Sequence, residues 1–526
     1  MSLPFSLTDW AVILGYFAFL AAGAWVFMPR HTDTAHDYFL AGGTVPAWLA
    51  AVSVLSATQS AATFLGGPDF GYHGDFTYLG TNLGGLIGAI FVAHVLIPRF
   101  YAARVTTVYE LLTMRFGTLA TRWTGGMFLF GRVLAGGARV YLAAIAVAMV
   151  MTGTVTAGGI FVAAAVLVVA SFLSTFVGGL RSVLWIDLFQ FVIMVGSAIA
   201  VLIFLRNAIP ASDAEILQGL MHAPGGVDKL RLFDFSTDLS RPFSLLAIVT
   251  GIALLYIASS GLDQDTTQRL LACKDAKTGA RGLYLSVFAT VPVVAIFITI
   301  GLLLHIFYDR PELMGGATNS AGQAFAGEKI SIFMHYILTG LPQGLRGLVT
   351  AGIMAAAVAT TNSALNAMSS VLIQDFYRPW RERRAAAANN NGATAAAVPE
   401  HHYVQAGRAG MGVIGLAMLI VAVLSFYWQH YAKLGLLEFA LQVMVFAYAG
   451  LLGVYFAAIF TRRGTTGSVI ASLIAGFITV LLLQPAIAAA LGLPEMLQGL
   501  AFPFQLCVGT AVAFLVAVGR GGREAG

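Results

Sequence analysis

The sequence predicts an all-α, polytopic membrane protein with about thirteen transmembrane helices. Three observations carry this. Of 526 residues, 58% are apolar and only 10% are charged; thirteen long apolar segments recur along the chain; and short polar or Gly/Pro-bearing loops separate most of them. Soluble proteins carry roughly 25% charged residues, so a soluble chain of this length would lack the polar surface for its two or three domains. A spanning helix takes about 20 mostly apolar residues, and thirteen of them occupy about half of this sequence. Barrel strands would instead show alternating runs of about ten residues. The composition therefore excludes a soluble enzyme, a disordered protein and a nucleic-acid binder. Cys273 and Cys507 make no disulfide framework and have no metal-ligand spacing.

In chain order the apolar segments are 9–28, 46–66, 79–98, 123–151, 155–176, 183–205, 243–262, 283–307, 345–374, 409–427, 436–460, 467–485 and 499–518. With the N-terminus outside, the inward loops carry 19 of the 29 basic residues, including Arg30, Arg269, Arg520 and Arg523. The outward loops carry eight, among them Lys433, while Arg132 and Arg139 fall within a span. Cytoplasmic loops concentrate Lys and Arg, so an odd number of spans with a cytoplasmic C-terminus fits. The expected location is a cell membrane, and the excess of Arg over Lys with abundant Ala and Gly suggests a bacterial one. The longest loops are 206–242, 308–344 and 375–408, and the low-complexity stretch Ala385–Val398 reads as a mobile linker. No HExxH, GxSxG or P-loop pattern occurs, so the chain is expected not to be an enzyme.

Two segments are unusual for helices in lipid. The second places Ser53, Ser56, Thr58, Gln59, Ser60 and Thr63 in mid-membrane, and the seventh ends in Ser259, Ser260, Gly261, Asp263 and Gln264. They open two groups of five spans, 46–205 and 243–460, flanked by a peripheral first helix in 1–45, an outer loop 206–242 and two peripheral helices in 461–526. An odd number of spans per group inverts the second relative to the first. Interrupted helices at matching places in inverted halves point to a midplane site for solute and ion, although hydroxyls in a single helix more often bond their own carbonyls. In the ninth segment Ala356, Ala359, Thr360 and Ser363 share one face at i, i+3, i+4, i+7 spacing. Small residues there allow close helix packing, and the hydroxyls are hard oxygen ligands of the kind sodium prefers.

Ionisable residues inside a membrane are costly and are functional candidates. Asp187 lies about one turn into its helix, suited to a cation or an Arg partner. Arg132 and Arg139 lie seven residues apart on one face, and Arg139 offers a planar fork for a carboxylate or a structural pairing with backbone carbonyls or Asp187. Glu438 is expected to face water and His94 to be packed and satisfied.

The motifs DYFLAGG (37–43), SATQSAATFLGGPDFGY (56–72), RVTTVYELLTMRFG (104–117), GGLRSVLWIDLFQ (178–190), DQDTTQRLLACKDAKTGARG (263–282) and AGIMAAAVATTNSALNAMSSVLIQDFY (351–377) occur in order. Together they resemble the sodium/solute symporter family, carriers of sugars, proline, pantothenate, iodide, monocarboxylates and sialic acids. The resemblance implies a five-plus-five inverted-repeat core of the leucine-transporter type and sodium-coupled uptake of a small polar solute by alternating access. It implies a main sodium site from carbonyls of Ser56, Gln59 and Ala356 with the hydroxyl of Thr360, and a second involving Asp187, Ser363 and nearby Asn362. Many members carry Ser where this chain has Ala359. Thr58, Ser60, Thr63, Thr81, Asn82, Arg139, Gln264 and Gln442 match solute-contacting positions, and Arg139 favours an anionic organic solute. Beyond Na+, the expected partners are that solute and the lipid bilayer, with no nucleic acid and a monomeric or loosely oligomeric chain. Ala359 keeps proton coupling open, and a membrane sensor or transporter subunit working with a separate signalling kinase is a further alternative.

Overall fold

The computed structural model describes residues 5–26, 34–152, 155–176, 179–319, 324–325, 328–329, 331–390, 398–432 and 435–519. Among these, ten helices are long and apolar enough to cross a membrane. Ala47–Thr58 and Ala61–His73 form one further span bent by 65°, and Leu7–Gly23 and Thr466–Leu482 are shorter apolar helices. These elements correspond one for one to the apolar segments of the sequence. Several run past them: the eighth span is Ala276–Asp309, because its polar first turns continue the helix after the Asp275 cap. Helix Arg378–Asn390 also takes in the start of the expected linker, a correction that follows from its alanine run, since Ala is the strongest helix former. The rest of that linker up to 397, with Arg30, Lys433, Arg520 and Arg523, lies outside the described residues.

The bent span breaks because Gln59 (φ −80°, ψ 99°) and Ser60 (φ −101°, ψ 177°) are extended. Ser60 then restarts the helix as its N-cap, its Oγ accepting from the amide of Ala62 at 3.2 Å. The second half of the span, Ala61–His73, presses on Ala276–Asp309 nearly backbone to backbone: a Cβ at Gly301 would run into the carbonyl oxygen of Pro68, and one at Gly71 into that of Ile298. Only small residues permit such an approach. The seventh span contains wide turns at Ile248–Ile252 and Ala258–Leu262, stops at extended Asp263 (φ −88°, ψ 117°) and resumes as Gln264–Leu271.

Helix Leu345–Val371 is the axle of the molecule. Every residue from Val349 to Val371 is buried, polar side chains such as Thr360, Asn362 and Ser363 included. It packs on Gly179–Ala208, on Thr113–Thr152 and on both halves of the bent span. Leu7–Val26 is fastened to its start: the Asp9 carboxylate accepts from the amides of Gly344 (2.8 Å) and Gly347 (2.9 Å) and from Arg346 (2.9 Å), a carboxylate at a helix N-terminus.

Candidate functional site

The end of Ala47–Thr58 leaves the carbonyls of its last turn without intrahelical partners; its last helical bond runs from the Gln59 amide to the Leu55 carbonyl at 2.9 Å. Beside this break lies a cavity of about 120 Å³, against the ~10–15 Å³ that a single water requires. Its walls include Thr58, Gln59, Ser60 and Thr63 from the bent span, Thr81 and Tyr78 from the next, Arg132 and Arg139 from Thr113–Thr152, and Ser259, Ser260 and Asp263 from the second break. Five of the residues expected to contact solute therefore meet in one hollow: Thr58, Ser60, Thr63, Thr81 and Arg139.

The two arginines differ. Arg132 is buried and pairs with Asp263 at 3.1 Å and with Asp265. Asp263 also accepts from the Tyr448 hydroxyl at 2.6 Å. Arg139 is half-buried, and among the described residues no carboxylate pairs with it. One of its terminal nitrogens points to the sulfur of Met444 at 3.1 Å, and its Nε has no partner. A guanidinium with spare donors facing a hydroxyl-lined cavity can take a planar oxyanion bidentately.

Of the residues expected to bind sodium, Ser56, Gln59, Ala356 and Thr360 are all buried, on helices that pack together. The Oε1 of Gln59 is buried without a partner. The Thr360 hydroxyl donates to the Ala356 carbonyl at 2.9 Å, which leaves its lone pairs available to a cation. Asp187 and Ser363 are brought together by Arg269, whose terminal NH2 group donates to both. Asn362 turns instead towards Ser174.

Three expected solute contacts are engaged elsewhere. Gln264 accepts from the amide of Val108 and donates to the carbonyl of Thr106, both at 2.9 Å. Asn82 donates to the Leu79 carbonyl at 2.8 Å, and Gln442 donates to Gln484 at 2.6 Å. Arg269, placed in an inward loop by hydropathy, is instead fully buried, and it, not Arg139, is the partner of Asp187. His94 is satisfied by the Ile90 carbonyl at 3.1 Å but is exposed, not packed. Glu438 is half-buried in the first turn of Leu436–Phe460. Sequence reasoning missed the roles of Asp265 and Tyr448. The i, i+4 spacing of Asp265 and Arg269 was the available signal for the first.

The sodium:solute symporter family model matches residues 38–476. The chain is 27% identical over 377 residues to a sodium/sialic acid symporter of Proteus mirabilis, covering 71% of this chain and 72% of that one. It is 25% identical over 487 residues to a sodium/sialic acid symporter of Aliivibrio fischeri, covering 90% and 87%. Human sodium-coupled monocarboxylate transporter 2 is 26% identical; there the match covers 71% of this chain but only 58% of the relative. Among solved structures, a substrate-bound, outward-open Na+-coupled sialic acid symporter superposes with a TM-score of 0.77 at 23% identity, covering 98% of this chain and 97% of that one. A closed nucleobase-cation-symport-1 family transporter does so at 0.52 and 14%, covering 94% and 97%. These likenesses fix the fold as the inverted-repeat, leucine-transporter type. Since the family match runs unbroken from the loop before the bent span into the twelfth span, the chain belongs to the sodium:solute symporter family: it is a multi-pass membrane carrier that couples sodium to a transported small solute, and not an enzyme.

Proposed function

We propose that this carrier imports a small organic solute bearing a carboxylate, held by Arg139 and the hydroxyls of Thr58, Ser60, Thr63 and Thr81. The observation that carries the reading is the Arg139 guanidinium, which lines the cavity with no carboxylate partner among the described residues. The Proteus and Aliivibrio relatives are named for a carboxylate-bearing sugar acid and the human relative for monocarboxylates, which agrees with an anionic cargo. Sodium binds at the carbonyls of Ser56, Gln59 and Ala356 and the hydroxyl of Thr360, bracing the bent span against the axle helix. That arrangement favours the state that accepts solute from outside. Coupling needs only that ion and solute prefer the same state, and the linkage is reciprocal. In this reading 46–205 and 243–460 are the inverted repeats, the N-terminus is outside and the C-terminus cytoplasmic, in keeping with the distribution of basic residues.

The test is uptake into proteoliposomes with an imposed sodium gradient, comparing sialic acid, lactate and a neutral sugar. Accumulation of an acid, with loss in Arg139→Gln, is expected; preference for the neutral sugar overturns the carboxylate assignment. One observation favours a second reading. Position 359 is Ala, so Thr360 alone supplies a hydroxyl at these two positions of the proposed cation site, and a proton gradient could then be the driving force. Uptake driven by an imposed pH gradient in sodium-free buffer distinguishes the two.

A further inference from the structure

The ninth span runs on past its apolar turns, through the wide turn Leu372–Tyr377 into helix Arg378–Asn390. The start of the tenth span, Glu400–Ala432, packs against that turn. Between them lies an open groove of about 650 Å³, walled by Leu372, Ile373 and Phe376 on one side and by Ala406 and Ala409 on the other. Beyond Ala409 the same stripe of the tenth span continues at helical spacing as Val413, Leu416 and Ile420, all exposed. An exposed apolar stripe on a spanning helix faces lipid, so the groove is continuous with the surface that the bilayer wets. Towards the polar helix the lining becomes Tyr377, Trp380 and His402, and the Tyr377 hydroxyl bonds His402 Nε2 at 2.9 Å. Tyr and Trp are the residues that settle at the boundary between lipid and water.

The charge just past this boundary is positive. Trp380, Arg381 and Arg384 follow Tyr377 at i+3, i+4 and i+7, which puts two arginines on the face that carries the aromatic rings. The Arg384 guanidinium lies over the Trp380 ring, 5.6 Å from its centroid. Glu382 and Glu400 are both taken by Arg378, at 3.0 and 2.7 Å. Among the described residues Arg381 and Arg384 have no carboxylate partner, and the Nε of Arg381 has no hydrogen-bond partner. We infer that this groove binds one anionic phospholipid: an acyl chain lies between the ninth and tenth spans, Trp380 marks the interface, and the phosphate sits at Arg381 and Arg384. Apolar groove, aromatic rim and paired cations follow one another in the order of a lipid's own layers, and basic residues next to a span attract anionic headgroups. The site is separate from the ion and solute cavity and does not depend on what that cavity carries.

The test is native mass spectrometry of the purified chain titrated with phosphatidylglycerol, or with phosphatidylcholine of the same acyl chains. One phosphatidylglycerol per chain is expected to bind at least about tenfold more tightly than phosphatidylcholine. Replacing both arginines, Arg381→Gln with Arg384→Gln, should bring the two lipids within about twofold of each other. Arg383→Gln is the control on charge alone, since that side chain reaches towards Thr118 at 3.5 Å, and it should keep the preference. Ala406→Phe narrows the groove, leaves the arginines in place and should weaken both lipids. Equal binding of the two lipids by the unaltered chain overturns the inference, as does a preference lost equally in Arg383→Gln. Unchanged affinity in Ala406→Phe places the lipid elsewhere, and displacement of the lipid by inorganic phosphate makes the site one for a free anion; either result also overturns it.

Discussion

The two interrupted helices occupy matching places in the chain and are built from opposite chemistry. At Gln59–Ser60 the break is neutral: hydroxyls and an amide surround it, the Gln59 Oε1 has no partner, and the cavity opens beside it. At Asp263 the break is ionic, and it lines the same cavity with its charged groups already paired. Arg132 and Tyr448 hold Asp263, Arg132 and Arg269 hold Asp265, and Gln264 and Gln268 are bonded to the carbonyls of Thr106 and Phe39. Interruption of a helix frees polar backbone in either case. Whether the protein or a ligand then satisfies that region depends on the charge placed next to it. The first break leaves polar groups unpaired beside the cavity, where the proposed reading puts ion and solute, and the second presents groups already paired within the protein.

The largest effect is therefore expected from breaking the ionic side. Arg269→Met leaves Asp187 and Asp265 short of a partner in the interior, and removal of one member of a buried ion pair costs about 3–5 kcal/mol. The variant should give little monodisperse protein and a clearly lowered unfolding temperature in detergent. An unchanged unfolding temperature would mean that the second break does not depend on its charges.

Next in size is the contrast within one helix face. Arg139→Gln removes the partner proposed for the solute carboxylate, worth about 2–5 kcal/mol, while no ion pair among the described residues is lost. Uptake of the acid should fall at least about 30-fold with the unfolding temperature retained. Arg132→Gln should do the reverse, lowering stability first, because its carboxylate partners are Asp263 and Asp265. Measuring both quantities on both variants separates a wall residue from a binding residue. Equal behaviour would erase the distinction between the two breaks.

The neutral side is probed by ligand count. Thr360→Ala removes one oxygen from the proposed cation site, and a contact to a charged group contributes about 1.5–3 kcal/mol. The sodium concentration for half-maximal uptake should rise roughly tenfold or more, while Ala359→Ser, which adds a hydroxyl, should lower it. Sodium dependence unchanged in both variants would move the ion away from this helix.

The spans were legible because lipid imposes a length and a polarity on every helix, and those survive in composition alone. The first break was legible too: six polar side chains between Ser53 and Thr63 contradict an ordinary lipid-facing helix. The ionic network was not. Arg269 follows Asp263 and Asp265 in a polar stretch that hydropathy assigns to a loop, and only the folding of that stretch back between Asp187 and Ser53 buries it. Gln264 and Gln442 illustrate the same limit. Both are on elements near the cavity, yet each is held by a partner distant in sequence, Val108 and Gln484 respectively. Sequence spacing places a residue on a helix; it does not say which of two neighbouring groups its side chain reaches.

The smallest effect tests whether the first break is encoded locally. Ser60 caps Ala61–His73 through its hydroxyl, and loss of such a cap costs about 0.5–2 kcal/mol. Ser60 also lines the cavity, so Ser60→Ala acts on both stability and solute contact. Ser60→Gly separates them, because glycine tolerates the capping conformation at a cost of only a few tenths of a kcal/mol while still lacking the hydroxyl. If Gly restores the unfolding temperature but not the solute half-saturation, the hydroxyl serves the cargo and the backbone alone maintains the break. If Gly restores both, the kink is the whole contribution of this residue, and the solute contacts lie with Thr58, Thr63, Thr81 and Arg139.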